Sequence, residues 1–324
     1  MPNEFRHGVG AVPHDGRQFA TGKRGIACRK IRRCGDTLRA PYPERLLRVA
    51  TYNVNGVNGR LPRLLEWLRE TQPDIVCLQE LKTDDTKFPV RALEEAGYGA
   101  IWHGQRSHHG VAILARGETP AELRRGLSGD SVDRETRYLE ASVKGLRVAS
   151  IYLPNGNPQP GPRFDYKLAW FERLIRYAAK LCNSAQPVVL AGDYNVVPTD
   201  ADIYNAWWWR EDAVMQPATR AAYSRLLAQG WIDATRHLHP GKRIYTFWTT
   251  ARAFERNAGF RMDFLLLNPR LAPRLAAAGV DAEYRGRERA SDHAPAWIVL
   301  RDSAKAGRGS ARAAKPASKL PRKT

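Results

Sequence analysis

The sequence predicts a layered α/β sandwich, two packed mixed sheets with helices outside. Two observations carry that expectation. Between residues 45 and 300, short β-rich runs alternate with helical stretches. Two of the runs also flank the turn Lys144-Gly145, a hairpin signal, so the strand pairing is mixed.

The elements follow in order. Leu46–Tyr52 is an apolar strand that ends in Asn53-Val54-Asn55-Gly56. Leu61, Leu64, Leu65 and Leu68 recur at helical spacing through Thr71, and Pro73 ends that helix. Asp74–Gln79 is the next strand, and Pro89–Ala96 is a short helix closed by Gly97. Gly110–Ala115, Arg137–Val143 and Leu146–Tyr152 read as strands, and Phe164–Leu181 as a long amphipathic helix. Pro187–Ala191 is a buried strand, 217–227 is helical, and 261–267 and 296–300 are late strands. No internal repeat and no glycine-rich phosphate loop are visible.

Lys and Arg total 52 against 33 Asp and Glu, a net charge of +19 over 324 residues. That balance points to a polyanionic partner. Apolar content of 43% excludes wholesale disorder, and no apolar run approaches a membrane span, so no membrane association is expected. About two thirds of the excess lies on two ends unlike a folded domain. Residues 1–44 read as a basic, disordered extension and 302–324 as a basic, disordered tail, leaving a folded domain at 45–301. The tail reads either as a solubilising segment or as a non-specific phosphate tether. Cys28, Cys34, Cys77 and Cys182 have no metal-ligand spacing, which fits a reducing cytoplasm.

The chemistry lies where apolar strands end. Asn53, Asn55, Gln79, Glu80, Tyr152, Asp193 and Asn195 follow or close strands, Asp263 sits inside one, and Ser291-Asp292-His293 precedes the last. Each alone is an ordinary turn former or cap. Strand ends in an α/β fold converge on one rim, however, and Glu80, Asp193 and Asp292 gathered there would repel without a cation. Oxygen ligands without cysteine select a hard metal, Mg²⁺ or Mn²⁺, and such a site reads as metal-assisted phosphoester hydrolysis.

The ordered set resembles the exonuclease III family of apurinic/apyrimidinic endonucleases, within the endonuclease/exonuclease/phosphatase superfamily. The motifs are 51–56 (TYNVNG), 77–83 (CLQELKT), 104–107 with 110–113 (GQRS, GVAI), 152–156 (YLPNG), 192–195 with 198–200 (GDYN, PTD), 245–248 (YTFW), 261–263 (RMD) and 291–295 (SDHAP). They span about residues 47–300. The resemblance implies a DNase I-like four-layer α/β sandwich. It also implies a Mg²⁺-dependent phosphodiesterase of base excision repair, with Mn²⁺ as a substitute metal. Such an enzyme cleaves duplex DNA 5′ to abasic sites and clears 3′ ends, here as a cytoplasmic monomer.

By the same resemblance, Glu80 is the principal metal ligand, with Asn53, Asn55 and Asp292 completing or bordering the metal site. Asp193 orients or deprotonates the attacking water and can hold a second metal, and Asn195 helps hold that water. His293 contacts the scissile phosphate and, with Asn195, counts among the metal-site residues. Asp263 fixes its tautomer, so the two should lie within hydrogen-bond reach. Tyr152 assists at the phosphate or leaving oxygen, and Lys82 and Asn155 contact phosphates. Phe247, Trp248 and Phe260 surround a basic irregular loop, 249–259, with Arg252 and Arg256; in the family this region receives the extruded abasic sugar. Trp207-Trp208-Trp209-Arg210 is a second aromatic-basic cluster, packed under a loop or facing DNA. His108-His109 reads as a surface or DNA-facing turn, not a ligand pair. Asn58, and Thr249-Thr250 after Trp248, depart from the family pattern. The competing readings are a phosphatase or non-specific nuclease on the same scaffold, and a non-catalytic nucleic-acid binder.

Overall fold

The computed structural model describes residues 46–301. The basic ends expected at 1–44 and 302–324, with Cys28 and Cys34, lie outside the described residues.

In chain order the main elements are β1 (Leu46–Asn53), α1 (Val57–Thr71), β2 (Ile75–Gln79), α2 (Val90–Glu95), β3 (Tyr98–His103), β4 (Val111–Arg116), β5 (Ala121–Arg125), β6 (Tyr138–Val143) and β7 (Leu146–Tyr152). They continue with α3 (Pro162–Cys182), β8 (Val188–Asp193), α4 (Pro217–Leu227), β9 (Ile232–Asp233), α5 (Ala234–Leu238), α6 (Ala251–Glu255), β10 (Asp263–Leu267), β11 (Leu275–Val280) and β12 (Ala296–Arg301). The strands form two six-stranded sheets, ordered β11-β12-β1-β2-β4-β3 and β5-β6-β7-β8-β10-β9.

Each sheet has a single parallel pair, β1 with β2 across α1 and β7 with β8 across α3; every other neighbour is antiparallel. Position by position the two sheets therefore repeat one direction pattern. The sequence shows no such repeat, because a strand pattern constrains polarity and burial rather than residue identity.

Burial sorts the faces into four layers. Leu47, Val49, Ile75, Cys77 and Ile113 of the first sheet meet Val148, Val189 and Leu265 of the second in the central core. The opposite face of the first sheet, with Ala50, Val76 and Leu78, receives Leu64, Trp67 and Leu68 of α1. The outer face of the second receives Trp170, Phe171 and Leu174 of α3 and Tyr223 and Leu226 of α4. α1 begins at Val57, a turn earlier than the leucine spacing predicts, behind Gly56 at φ 98°. It ends at Gln72, whose left-handed backbone turns the chain into β2.

Four strands escape the sequence reading: β3, β5, β9 and β11. They are the four outermost strands of the two sheets. An edge strand has a neighbour on one side only, so it is under less pressure to be apolar. β5, Ala-Glu-Leu-Arg-Arg, is largely exposed. β11, Leu-Ala-Ala-Ala-Gly-Val, is alanine-rich, which by propensity suits a helix. The central strands are covered on both faces and keep the apolar runs that betray them.

Candidate active site

The parallel pairs bring the polar strand ends to one place. Asn53 closes β1 opposite Gln79 of β2. Tyr152 closes β7 opposite Asp193 of β8, and Asp263 opens β10 opposite the same Asp193. Tyr152, Asp193 and Asp263 thus share one rung of the second sheet. The sheets join there, where Asn53 Nδ2 donates to Asp193 Oδ2 at 2.9 Å. Below the site, Thr51 Oγ1 donates to Gln79 Oε1 (3.1 Å) and Gln79 Nε2 to Ser150 Oγ (3.1 Å), a buried bridge between the sheets.

Two carboxylates directly opposite each other repel, and burial sharpens the repulsion. His293 relieves it. Its Nδ1 lies 2.8 Å from Asp263 Oδ2 and its Nε2 lies 3.8 Å from Asp193 Oδ2. All three side chains are buried. Burial alone would lower the His293 pKa, but Asp263, Asp193 and Asp292 overcome that and raise it above the ordinary imidazole value. Burial raises the Asp193 carboxyl, with Asp263 adding to the effect and His293 opposing it. Asp193 Oδ1 also accepts from the Asn195 backbone N–H at 2.9 Å. Asn195 Nδ2 is anchored on the Leu153 carbonyl (2.8 Å), and Asn155 Nδ2 reaches Asn195 Oδ1 (3.3 Å).

The other site residues form a half-exposed rim. Lys82 Nζ lies 2.6 Å from Asn55 Oδ1 and 3.0 Å from Glu80 Oε1. Asn55 donates its backbone N–H to Asn53 Oδ1 (3.0 Å) and its Nδ2 to Asp292 Oδ1 (2.9 Å). Asn55, Glu80, Lys82 and Asn195 all have positive φ, 47°, 57°, 53° and 45°. Such a conformation is uncommon for non-glycine residues, and its clustering here marks a site held by its surroundings.

Cation fit can be judged on this rim. The Glu80 carboxylate and Asn55 amide oxygen already converge on one positive charge, the Lys82 ammonium, with Asn53 and Asp292 bonded alongside. The donors are all oxygen, which suits a hard divalent cation. Asp193, Asp263 and His293 also offer ligand atoms within 4.8 Å of one another. Both imidazole nitrogens there already face carboxylates, however. The trio thus offers a buried, carboxylate-flanked imidazole beside the oxygen-lined rim.

Three residues support the site from behind, a role the sequence reading gave to none of them. Lys167 of α3 is fully buried and donates to the backbone carbonyls of Asn155 (2.9 Å) and Asn195 (2.5 Å). Burial lowers its pKa to about 7, against the pull of Asp193 and Asp212. Arg261 is buried between Asp202 (2.7 Å) and Asp233 (2.6 Å), two residues from Asp263. Gln79 is the third. A lysine on an amphipathic helix reads as a solvated position, and only the neighbouring loops reveal otherwise.

The aromatic region divides. The Phe247 ring lies 4.8 Å from His293 and borders the site, and Phe260, buried 5.5 Å behind it, backs that ring. Trp248, expected to line a pocket, is 2% exposed and packs with Tyr245 and Ala294, with Phe254 edge-on. It is a core residue, because its ring points away from the Phe247 side of the same strand-like segment. The expected irregular loop contains helix α6, whose cap Thr250 accepts from Ala253 N–H at 3.1 Å. Arg252 and Arg256 are exposed there. On the opposite flank a cleft of about 390 Å³ is lined by Glu80, His109, Arg137, Tyr152, Asn155 and Tyr166, among others. The Arg137 guanidinium lies 5.1 Å over the Tyr152 ring. Burial, Glu80 and Asp193 raise the Tyr152 phenol well above its ordinary pKa. His108 is exposed, and His109 lies in the cleft wall, 2.7 Å from Arg137 and 3.0 Å from Gln105.

Comparison with known proteins agrees with this geometry. Residues 50–293 match the endonuclease/exonuclease/phosphatase family. Exodeoxyribonuclease III of Haemophilus influenzae is 32% identical over 268 residues, covering 79% of this chain and 100% of the relative. An AP endonuclease from Archaeoglobus fulgidus superposes with a TM-score of 0.75 at 35% identity, covering 78% of this chain and 99% of the other. A 3′ phosphatase from Neisseria, solved bound to a product DNA hairpin, superposes with a TM-score of 0.75 at 36% identity, covering 78% and 98%. The chain belongs to the endonuclease/exonuclease/phosphatase family, on its exodeoxyribonuclease III branch.

Proposed function

We propose that the protein is a Mg²⁺-dependent DNA-repair nuclease, acting as a monomer on duplex DNA. It hydrolyses the phosphodiester 5′ to an abasic site and clears nucleotides or blocking groups from 3′ ends. The observation that carries this reading is the buried Asp263–His293 pair facing Asp193 at the junction of the two sheets.

Glu80, with Asn53, Asn55 and Asp292, would hold the metal, and Asp193 borders it. Bound there, Mg²⁺ supplies charge neutralisation at the phosphate oxygens. The remaining work falls to the chain. Asp193, fixed by Asn53 and the Asn195 N–H, orients the attacking water and takes its proton; its raised pKa suits that exchange near neutrality. His293, protonated and oriented by Asp263, presents its Nε2 proton to the anionic phosphate. Tyr152, kept as a neutral phenol, donates toward the phosphate or leaving oxygen. Asn195 holds the water, and Lys82 and Asn155 contact phosphates. Phe247 and Phe260 favour an extruded abasic sugar over an intact nucleotide, and exposed Arg252 and Arg256 meet the duplex backbone.

A duplex bearing a tetrahydrofuran site is the direct test. Nicking 5′ to the lesion with Mg²⁺, abolished by EDTA, is expected. Absence of metal-dependent nicking would refute the reading. Parallel arms with intact DNA, a 3′-phosphate end and a soluble inositol phosphate separate repair from the phosphatase alternative.

A further inference from the structure

The segment after β8 exposes aromatic surface that the proposed reaction does not use. Trp207 is 68% exposed, Trp208 70% and Tyr204 47%. They are three of the six exposed large hydrophobics among the described residues, all within five positions. Exposed tryptophans forgo their burial energy, and a cluster of them marks a contact surface.

The cluster is shaped, charged and tied to the active site. The Arg210 guanidinium lies 3.9 Å from the centre of the Trp207 ring and donates to the Trp207 carbonyl at 2.9 Å. Asn205 Oδ1 accepts from the Trp208 N–H (3.3 Å), and Gln216 Nε2 holds the Arg210 carbonyl (3.0 Å). The third ring turns inward: Trp209 packs edge-on against Phe260 at 4.7 Å. Phe260 contacts Phe247, and Phe247 contacts His293. Backbone bridges follow the same line, from His293 to Phe247, to Phe260, to Ile203, and Tyr204 N–H bonds the Gly259 carbonyl at 3.0 Å. The segment that carries the exposed rings is thus tied, through Trp209, to the aromatic residues beside the catalytic histidine.

We propose that Trp207 and Trp208, with Arg210, form a stacking platform for unpaired bases of the DNA strand held at His293. The inference rests on the nuclease reading above. Every base offers a π-face, so stacking on tryptophan tolerates any sequence, and an arginine beside the ring adds attraction for the phosphates. A paired duplex keeps its bases stacked internally and gains nothing from such a platform. The surface therefore directs the enzyme toward frayed ends, flaps and gaps, where bases next to the scissile phosphate are free. The segment's link through Trp209 to the active-site aromatics, with the cationic Arg210 on the Trp207 ring, favours this occupant over a protein or lipid partner.

The test uses the full-length protein and a fluorescein-labelled oligothymidylate read by anisotropy, with turnover on two abasic duplexes, one fully paired and one with unpaired bases beside the lesion. The double variant Trp207→Ala/Trp208→Ala should bind oligothymidylate about tenfold more weakly. It should raise KM on the partly unpaired duplex and keep kcat on the paired one. Trp207→Phe/Trp208→Phe should restore binding and Trp207→Leu/Trp208→Leu should not. Wild-type affinity in the alanine variant would overturn the proposal, as would full rescue by leucine, which would indicate a plain apolar docking surface. Unchanged thermal melting should accompany all variants, since both rings are exposed. If the wild-type protein cut no DNA, the nuclease reading would fail, while the affinity comparison would still decide whether the platform binds bases.

Discussion

The two halves of the active site are built differently. The inner half, Tyr152, Asp193 and Asp263, sits on one rung of the second sheet, with His293 pressed against it. Its geometry is set by strand register, and its charges are buried, with one imidazole between two carboxylates. The rim, Asn55, Glu80, Lys82 and Asp292, sits on turns after β1 and β2 and before β12. Its geometry is set by left-handed backbone and a chain of side-chain bonds. A rigid, dry trio suits proton handling, whose energetics depend on exclusion of water. A wetter, adjustable rim suits a cation that keeps part of its hydration shell.

That contrast predicts unequal responses to mutation. Asp193→Ala should lower kcat by about 10²- to 10⁴-fold, the usual contribution of a positioned acid or base, and added Mg²⁺ should not restore it. Glu80→Gln should instead raise the Mg²⁺ concentration for half-maximal nicking, by about 10- to 100-fold, with partial recovery at high metal. Metal titrations of nicking by the two variants check both; equal rescue would erase the distinction between the halves.

A smaller effect probes the support of the inner half. Arg261→Met removes the guanidinium buried between Asp202 and Asp233, leaving Asp202 to Arg236 and Asp233 to hydrogen bonds from the Arg236 N–H and the Tyr223 hydroxyl. It should cost about 3–5 kcal/mol of stability, measured by urea unfolding. A loss under 1 kcal/mol would mean that the clamp is dispensable to the rung it adjoins.

The smallest effect lies outside both halves. Arg252→Ala with Arg256→Ala should leave kcat intact and reduce the salt dependence of DNA affinity by about one unit of slope per arginine. Binding measured across a salt series reads this directly. An unchanged slope would remove α6 from the DNA-facing surface.

Much of this was legible in the chain. The eight central strands are apolar runs, as burial on both faces demands, and several carry an Asn, Gln, Tyr, Asp or His at or next to one end. The four edge strands were not legible, because a half-satisfied strand tolerates arginine or alanine. Among site residues, the Asp263–His293 contact followed from the motifs and is borne out at 2.8 Å. Trp248 was misplaced, since an aromatic string does not reveal which ring faces the core. Lys167 and Gln79 were invisible as supports, because their partners lie 28 and 71 positions away, on another loop and in the other sheet.

The sequence by itself determined the layered α/β class, the family and the set of polar residues able to handle phosphodiester chemistry. Those depend on residue type and order, which the chain states outright. Beyond the Asp263–His293 pair, only the tertiary structure decided which residues meet. It placed Asp193 opposite Asp263, set His293 between their carboxylates, buried Trp248 and left Trp207 and Trp208 exposed. Each of those outcomes depends on register and packing between segments far apart in the chain, and no local pattern encodes that distance.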